Sequence, residues 1–475
     1  MAVRPYLVNG EWRTGQGTFE VRSPFDDSVV AEIGVPTEAD VEEAAATATA
    51  TFAEARVLPV WRRAEALDHV SRRLAETVDE NATLIAREGG KPLKWARVEA
   101  TRAVSTFRWA SEVLRHGDEE VMRLDTEQSL GSRIALLRRF PFGPVLGITP
   151  FNFPLNLVAH KVAPALAVGA PIVVKPARAT PIGALRLAEL FAETDLPRGM
   201  YQVLPVSSSV ADGMARDARY RKISFTGSVD IGWYLKGLDP RKRVTLELGG
   251  NAGVIVHGDA DLDLAAKRVA FGGYYQAGQS CISVQRVLVQ SEVYDEFARR
   301  LVKEVESLKV GDPMDPTVDV GPVIDRGNVE RIEEWVREAV AEGAEVLTGG
   351  TADGPFFRPT LLSRVDPEMK VCREEVFGPV VTISPYETFE EALHRVSDSR
   401  FGLQAGVFTN DVNRAFQAHR ELEVGGVILN DVSAFRADQM PYGGAKDSGF
   451  GREGLRFAME EMTEPRLMVF SHVPL

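Results

Sequence analysis

Apolar residues recur at helical spacing through residues 38–118, with charged residues between them. EADVEEAAATATATFAEA, VWRRAEALDHVSRRLAETVDENATLIAREGG and VEATRAVSTFRWASEVLRHG all carry this pattern. From residue 144 the texture changes to short apolar runs: PVLGIT, PIVVKP, YQVLP, RKISFTG and RVTLELGG. Helical patterns such as ALRLAELFAET and SVADGMAR separate most of them. Strand–helix alternation of this kind predicts an α/β fold with a parallel sheet. A second series follows, with strands at AGVIVH (252–257), QRVLVQ (285–290), PVVTISPY (379–386), AGVFT (405–409) and GGVILN (425–430). Its helices are expected at about 292–308, 326–342, 388–398 and 411–422. The N-terminal LVNGEW reads as strand, Asn-Gly turn, strand. GSRIALLRRFPFG (131–143) reads as a short strand pair, and EEMTEPRLMVF ends as an apolar edge strand that invites a partner subunit.

A chain of 475 residues predicts two or three domains. A hydrophobic share of 44% is enough for packed interiors. The net charge of −13 argues against nucleic acid and anionic membranes as partners, while leaving room for a local basic pocket. The start, MAVRPYLVNGEWRTGQG, lacks an apolar leader core, and the longest apolar stretch is broken by His160, Lys161 and prolines. A cytoplasmic protein is expected. Two cysteines make neither a disulfide framework nor a zinc site.

Ligands of parallel sheets bind at the carboxyl ends of the strands. Chemistry-bearing residues fall there. Asn152 follows the first strand of the 144–248 series, Lys175 ends the second, Ser228 follows the fourth and Glu247 ends the fifth. Cys281, in QAGQSCISVQ, is either a buried spacer or a nucleophile. Gly278 and the amides of Ser280–Ile282 suit a turn or helix start that stabilises a thiolate. Cys372 lacks that setting. Glu247, flanked by apolar residues in VTLELGG, is a raised-pKa base or a salt-bridged structural residue. Asn152 is an oxyanion donor or an Asx-turn residue. FTGSVDIG places Gly227 and Ser228 at a strand-to-helix junction suited to phosphate. G-x-G-x-x-G and G-x-x-x-x-G-K-[ST] are both absent, which disfavours a standard Rossmann dehydrogenase or a P-loop enzyme.

PFNFP, VVKPA, ISFTGS, LELGG, GQSC, EEVFGPV and PYGGAKDSGFGREG occur in this order over almost the whole chain. Together they resemble the NAD(P)-dependent aldehyde dehydrogenase superfamily, and most of all its lactaldehyde dehydrogenase-like branch. The resemblance implies a fold of two parallel-sheet α/β domains plus a small β oligomerisation element. Residues 1–118 and 144–248 would bind the dinucleotide, 249–440 would be catalytic, and 119–143 with 455–475 would join subunits into a homodimer or homotetramer. It implies Cys281 as nucleophile, Asn152 as oxyanion donor and Glu247 as the base that activates water. NAD or NADP would lie against Lys175, Arg178, Thr226, Gly227, Ser228, Leu248, Glu375 and Phe377. No metal is implied.

Where many NAD-preferring members carry a glutamate for the adenosine ribose, this chain has Arg178. Arginine cannot accept those hydrogen bonds but can pair with a 2′-phosphate, so NADP is expected to be tolerated; a solvent-facing Arg178 is the alternative. The substrate expected is a small aldehyde, a hydroxyaldehyde such as lactaldehyde. Arg102, His160, Ser280 and Arg436 are its candidate contacts, with structural roles as the alternative for Arg102, His160 and Arg436. An anionic phosphorylated or phosphonate aldehyde is the other reading, weakened because Ser280 replaces the arginine that phosphate users often carry. A CoA-acylating relative or a non-catalytic dinucleotide binder is disfavoured by Glu247 and by its company with Cys281 and Asn152.

Overall fold

Strands covered on both faces need no polar alternation, and the apolar runs after residue 144 are such strands. The computed structural model describes residues 2–117, 119–131 and 133–472. The limits of the expected units at residues 1, 118 and 475 lie outside the described residues. An eight-stranded sheet runs in the order Gly449–Phe450, Arg243–Glu247, Lys222–Thr226, Val145–Ile148, Ile172–Lys175, Tyr201–Val203, Tyr6–Val8, Glu11–Arg13. Its five central strands are parallel, and both edges are antiparallel. At one edge the Asn9-Gly10 turn takes φ of +52° and +74°, which matches the right-handed twist of a two-residue hairpin.

Val145–Ile148, first of the parallel strands in sequence, lies mid-sheet between Ile172–Lys175 and Lys222–Thr226. The chain winds away from it in one direction and then the other. A crevice opens at such a switch point, at the carboxyl ends of the strands.

A second sheet has seven strands, ordered Glu345–Thr348, Thr360–Ser363, Val380–Tyr386, Arg286–Gln290, Gly253–Val256, Gln404–Phe408, Gly426–Leu429. All pair in parallel except the first. The helices Tyr294–Glu306, Arg326–Ala341, Phe389–Ser397 and Val412–Glu421 fall where the periodicity places them. The chain then returns to the first sheet through Gly449–Phe450.

Segment 131–143 is not a strand pair. It forms one strand, Arg133–Pro141, flanked by Glu120–Arg123 and Thr463–Ser471 in a small antiparallel sheet. No turn residue interrupts IALLRRF, so the chain has no place to reverse. The small sheet takes up the C-terminal chain only from Thr463. Before it, the helix Leu455–Glu461 buries Leu455 and Met459 in the core around the eight-stranded sheet. Val121, Leu467, Met468, Val469 and Phe470 of the small sheet are exposed. Among the described residues no helix is long and apolar enough to cross a membrane.

Candidate active site

Cys281 sits on a loop with an unusual backbone. Gln276, Ala277 and Gly278 all take left-handed φ, at 54°, 54° and 68°. A Cβ on Gly278 would lie 2.1 Å from the Gly378 carbonyl oxygen, so this position admits only glycine. The strained pair beside it is held by tertiary bonds. Gln276 Nε2 donates to the Asn152 carbonyl, and Asn152 Nδ2 donates to the Gln279 carbonyl at 3.0 Å. The cysteine loop is thereby tied to the loop that follows Val145–Ile148. Asn152 Oδ1 is buried without a partner.

No helix starts at Cys281; the residue lies in a turn. The expected helix-start stabilisation of a thiolate is therefore not what surrounds the sulfur. Burial pushes the thiol up to about 12, and the Glu375 and Glu247 carboxylates act in the same direction. Opposing them are Tyr442, whose Oη is in hydrogen-bond contact with Sγ at 3.0 Å, and the Arg436 charge.

Two cavities meet at this sulfur. The larger, about 1080 Å³, is walled by Lys175, Arg178, Thr226, Gly227, Ser228, Leu248, Glu375 and Phe377, with Asn152, Glu247 and Cys281 at its inner end. The smaller, about 210 Å³, is walled by Arg102, Ser280, Arg436, Arg268, Tyr442 and Cys281 among others. Among the described residues Cys281 alone lines both. A third cavity, about 570 Å³, borders Cys372 and none of the other candidates. Burial pushes the Cys372 thiol up to about 11.

The larger cavity fits a dinucleotide. It lies at the switch point of the sheet. Ser228 precedes the helix Val229–Leu238 with extended backbone, and no side chain caps the first-turn N–H groups. Those groups and the helix dipole suit a pyrophosphate. Glu375 Oε1 accepts from the Gly250 N–H at 3.0 Å, and a Cβ on Gly249 would lie 2.2 Å from its other oxygen. Glycine at 249 is what lets that carboxylate reach the cavity, where it suits a ribose hydroxyl. Burial raises it to about 7. Phe377 meets Phe151 edge-on at 5.8 Å. Burial, and then the Arg178 charge, lowers the Lys175 ammonium. Arg178 is exposed, with its guanidinium 4.1 Å from the Phe19 ring centroid.

Glu247 is the last residue of its strand and is buried, with both carboxylate oxygens unpartnered. Burial raises its pKa well above the carboxylate range, Glu453 adds to this, and Arg436 and Lys161 oppose it. Glu453 behaves oppositely although equally enclosed, because it accepts from Lys161 Nζ at 2.9 Å and Arg436 at 3.0 Å. Two buried carboxyl groups that feel each other's charge are thus driven apart, one held as the acid to higher pH and one kept ionised.

In the smaller cavity Arg102 donates to Asp438 from Nη2 at 2.8 Å and from Nε at 3.2 Å. Asp438 also accepts from Asn156 at 3.2 Å and contacts His160 Nε2 at 3.0 Å. His160 lines neither cavity. It lies fully buried behind Asp438, which corrects its expected place in the substrate pocket; the carboxylate, not the substrate space, is its polar neighbour. Burial, and then the Arg436 charge, lowers its pKa. Ser280 Oγ accepts from Tyr275 Oη at 2.8 Å. Arg436 stacks on Tyr442, 3.7 Å from the ring centroid.

Sequence reasoning passed over Tyr442, Arg268 and Asp438. Tyr442 stands inside the quoted PYGG run and Asp438 just before it, so the signal was position in a motif. Arg268 carries none, being one charge on an amphipathic helix. Among the described residues no group of three or more His, Cys, Asp or Glu side chains could hold a metal.

The profile of the aldehyde dehydrogenase family matches residues 12–468. A 3-sulfolactaldehyde dehydrogenase of Priestia aryabhattai is 43% identical over 98% of this chain and 97% of its own length. A lactaldehyde dehydrogenase of Methanocaldococcus jannaschii is 37% identical over 98% of this chain and 100% of its own. The crystal structure of aldehyde dehydrogenase 21 from Physcomitrella patens, in complex with the reaction product succinate, superposes with a TM-score of 0.97. It is 41% identical, covering 99% of this chain and 98% of that one. Solved relatives hold NADP or NAD. The chain belongs to the aldehyde dehydrogenase family and is an NAD(P)-dependent aldehyde oxidoreductase.

Proposed function

We propose that this dehydrogenase oxidises a short aldehyde with an anionic far end, a carboxylate or sulfonate, to the acid. One observation carries this: the small cavity that Cys281 lines is also lined by three arginines, Arg102, Arg268 and Arg436. Arginine is suited to planar or tetrahedral oxyanions. Relatives named for sulfolactaldehyde and bound to succinate act on or hold such anions. A neutral hydroxyaldehyde such as lactaldehyde is the second reading. It is favoured because Asp438, Asp431 and Glu453 already pair with these arginines.

In the chemistry we assign, the Cys281 thiol passes its proton to solvent water in the cavity, and the thiolate Sγ bonds to the aldehyde carbon as the C=O π bond opens onto oxygen. The carbonyl oxygen becomes an oxyanion, held by the Cys281 N–H and the second N–H of Asn152 Nδ2. NAD or NADP, held by Lys175, Ser228, Glu375 and Phe377 in the larger cavity, would supply the hydride acceptor needed to take the substrate carbon to the thioester level. Glu247 then takes a proton from water, which adds to the thioester carbonyl, and the sulfur leaves as thiolate.

The test is a panel of sulfonate-, carboxylate- and phosphate-terminated aldehydes against lactaldehyde, each run with NAD and NADP. The expected kcat/KM for the best anion exceeds that for lactaldehyde by about tenfold or more, worth at least ~1.4 kcal/mol. Equal or better turnover of lactaldehyde would sink the anionic reading. NADP is expected to work within about tenfold of NAD, because Arg178 can pair with a 2′-phosphate; a larger NAD preference would leave Arg178 no cofactor role.

We also infer the division into a dinucleotide-binding unit, a catalytic unit and a subunit-joining sheet, in a cytoplasmic homo-oligomer. Support comes from the exposed apolar row Leu467–Phe470 and from two unpaired cysteines. Sedimentation should give two or four times 52.1 kDa, falling toward one chain in Phe470→Asp. A native monomer would overturn it.

A further inference from the structure

We propose that Tyr442 is a catalytic residue whose phenol donates its hydrogen to the Cys281 sulfur and stabilises the attacking thiolate. The proposal rests on Cys281 being the nucleophile.

Tyr442 Oη lies 3.0 Å from Sγ, and among the described residues no other hydrogen-bond partner of that oxygen is found. A neutral thiol and a phenol can each donate in this contact. A thiolate can only accept, so once the sulfur loses its proton the phenol becomes the donor and the bond is charge-assisted. Burial keeps the phenol protonated at any working pH. Cys281 lies in a turn and not at a helix start, and one N–H of Asn152 Nδ2 is spent on the Gln279 carbonyl.

The phenol is also fixed in place. Tyr442 and Glu453 exchange backbone bonds of 3.0 and 2.7 Å. Arg436 covers the ring at 3.7 Å and is itself held by Glu453. A guanidinium on the ring face withdraws electron density and makes the O–H a stronger donor. The same arginine lines the small cavity, so the group proposed to meet the substrate's charge also braces the residue that activates the nucleophile.

The alternative is that Tyr442 only packs, in the apolar cluster with Ile282 and Leu403. Tyr442→Phe separates the two, since it keeps the ring and removes one oxygen. The measurement is the pH dependence of Cys281 alkylation by iodoacetamide, located by peptide mass to distinguish it from Cys372, in full-length protein with and without NAD. The midpoint is expected to rise by about one pH unit and the rate at pH 8 to fall about tenfold. Across the same pH range kcat/KM should fall in parallel while KM holds. An alkylation profile that superimposes on the native one would overturn the proposal, whatever happens to turnover. A failure of Cys281 as nucleophile shows elsewhere, as turnover that survives its replacement. Melting of the Phe variant within a few degrees of native confirms that packing is intact.

Discussion

Replacing Cys281 with serine should remove aldehyde oxidation by at least about a thousandfold while leaving dinucleotide binding unchanged. The sulfur is where both cavities end, and only an atom there can meet an aldehyde from one side and a hydride acceptor from the other. A serine hydroxyl is a far weaker acid than a thiol. The burial that already lifts the thiol to about 12 would keep the hydroxyl protonated altogether. Steady-state formation of reduced cofactor reads the loss, and quenching of protein fluorescence by NAD(P) reads the retained binding. Turnover within tenfold of native would remove Cys281 from the mechanism and leave the large cavity as a binding site only.

Glu247→Gln should separate the two halves of the reaction. Oxidation to the thioester needs no water, so a burst of one reduced cofactor per active site should remain. Steady-state kcat should fall by about 10²–10⁴. The sign of the pH dependence follows from burial. The folded state holds the Glu247 proton well above the usual carboxylate range, and the acid form cannot accept a proton from water. Native kcat should therefore rise with pH above the ordinary carboxylate range, and the variant should lose that rise. Stability moves oppositely. The raised folded value favours the folded state at low pH, and this advantage is lost as pH rises through it. The glutamine variant should consequently melt no lower than native protein at pH 9. Loss of the burst together with the steady state would place Glu247 in acylation instead.

The readable features were those written locally. Strands covered on both faces announce themselves as apolar runs, so the residues at their carboxyl ends, Asn152, Lys175, Ser228 and Glu247, could be placed before any coordinates. The residues that the family resemblance assigned to the cofactor line one cavity, Glu375 and Phe377 among them although they end no strand. What a sequence does not write is who stands opposite. Tyr442 meets a sulfur 161 positions away, and Arg102 meets Asp438 across 336. His160 looked available for substrate because nothing beside it in sequence reveals the carboxylate that occupies it. The thiol's surroundings misled similarly: small residues around Cys281 suit a helix start, but Gln279 and Gln276 turn the chain into a tethered loop instead. Pairing errors have the same root. Arg133–Pro141 was divided in two because its partner on one side lies at the far end of the chain.

The meeting of two cavities at a single side chain has a kinetic corollary. If the proposed places of aldehyde and dinucleotide hold, the two reactants occupy separate cavities that share only Cys281 among the described residues, so neither need displace the other. An acid released from Cys281 can depart through the narrow side while the spent dinucleotide still fills the wide one. Order of arrival and departure is then set by relative affinity and not by the architecture of the passage. Crowding by either reactant should slow the enzyme only through a wrongly filled resting form, never by sealing the way out.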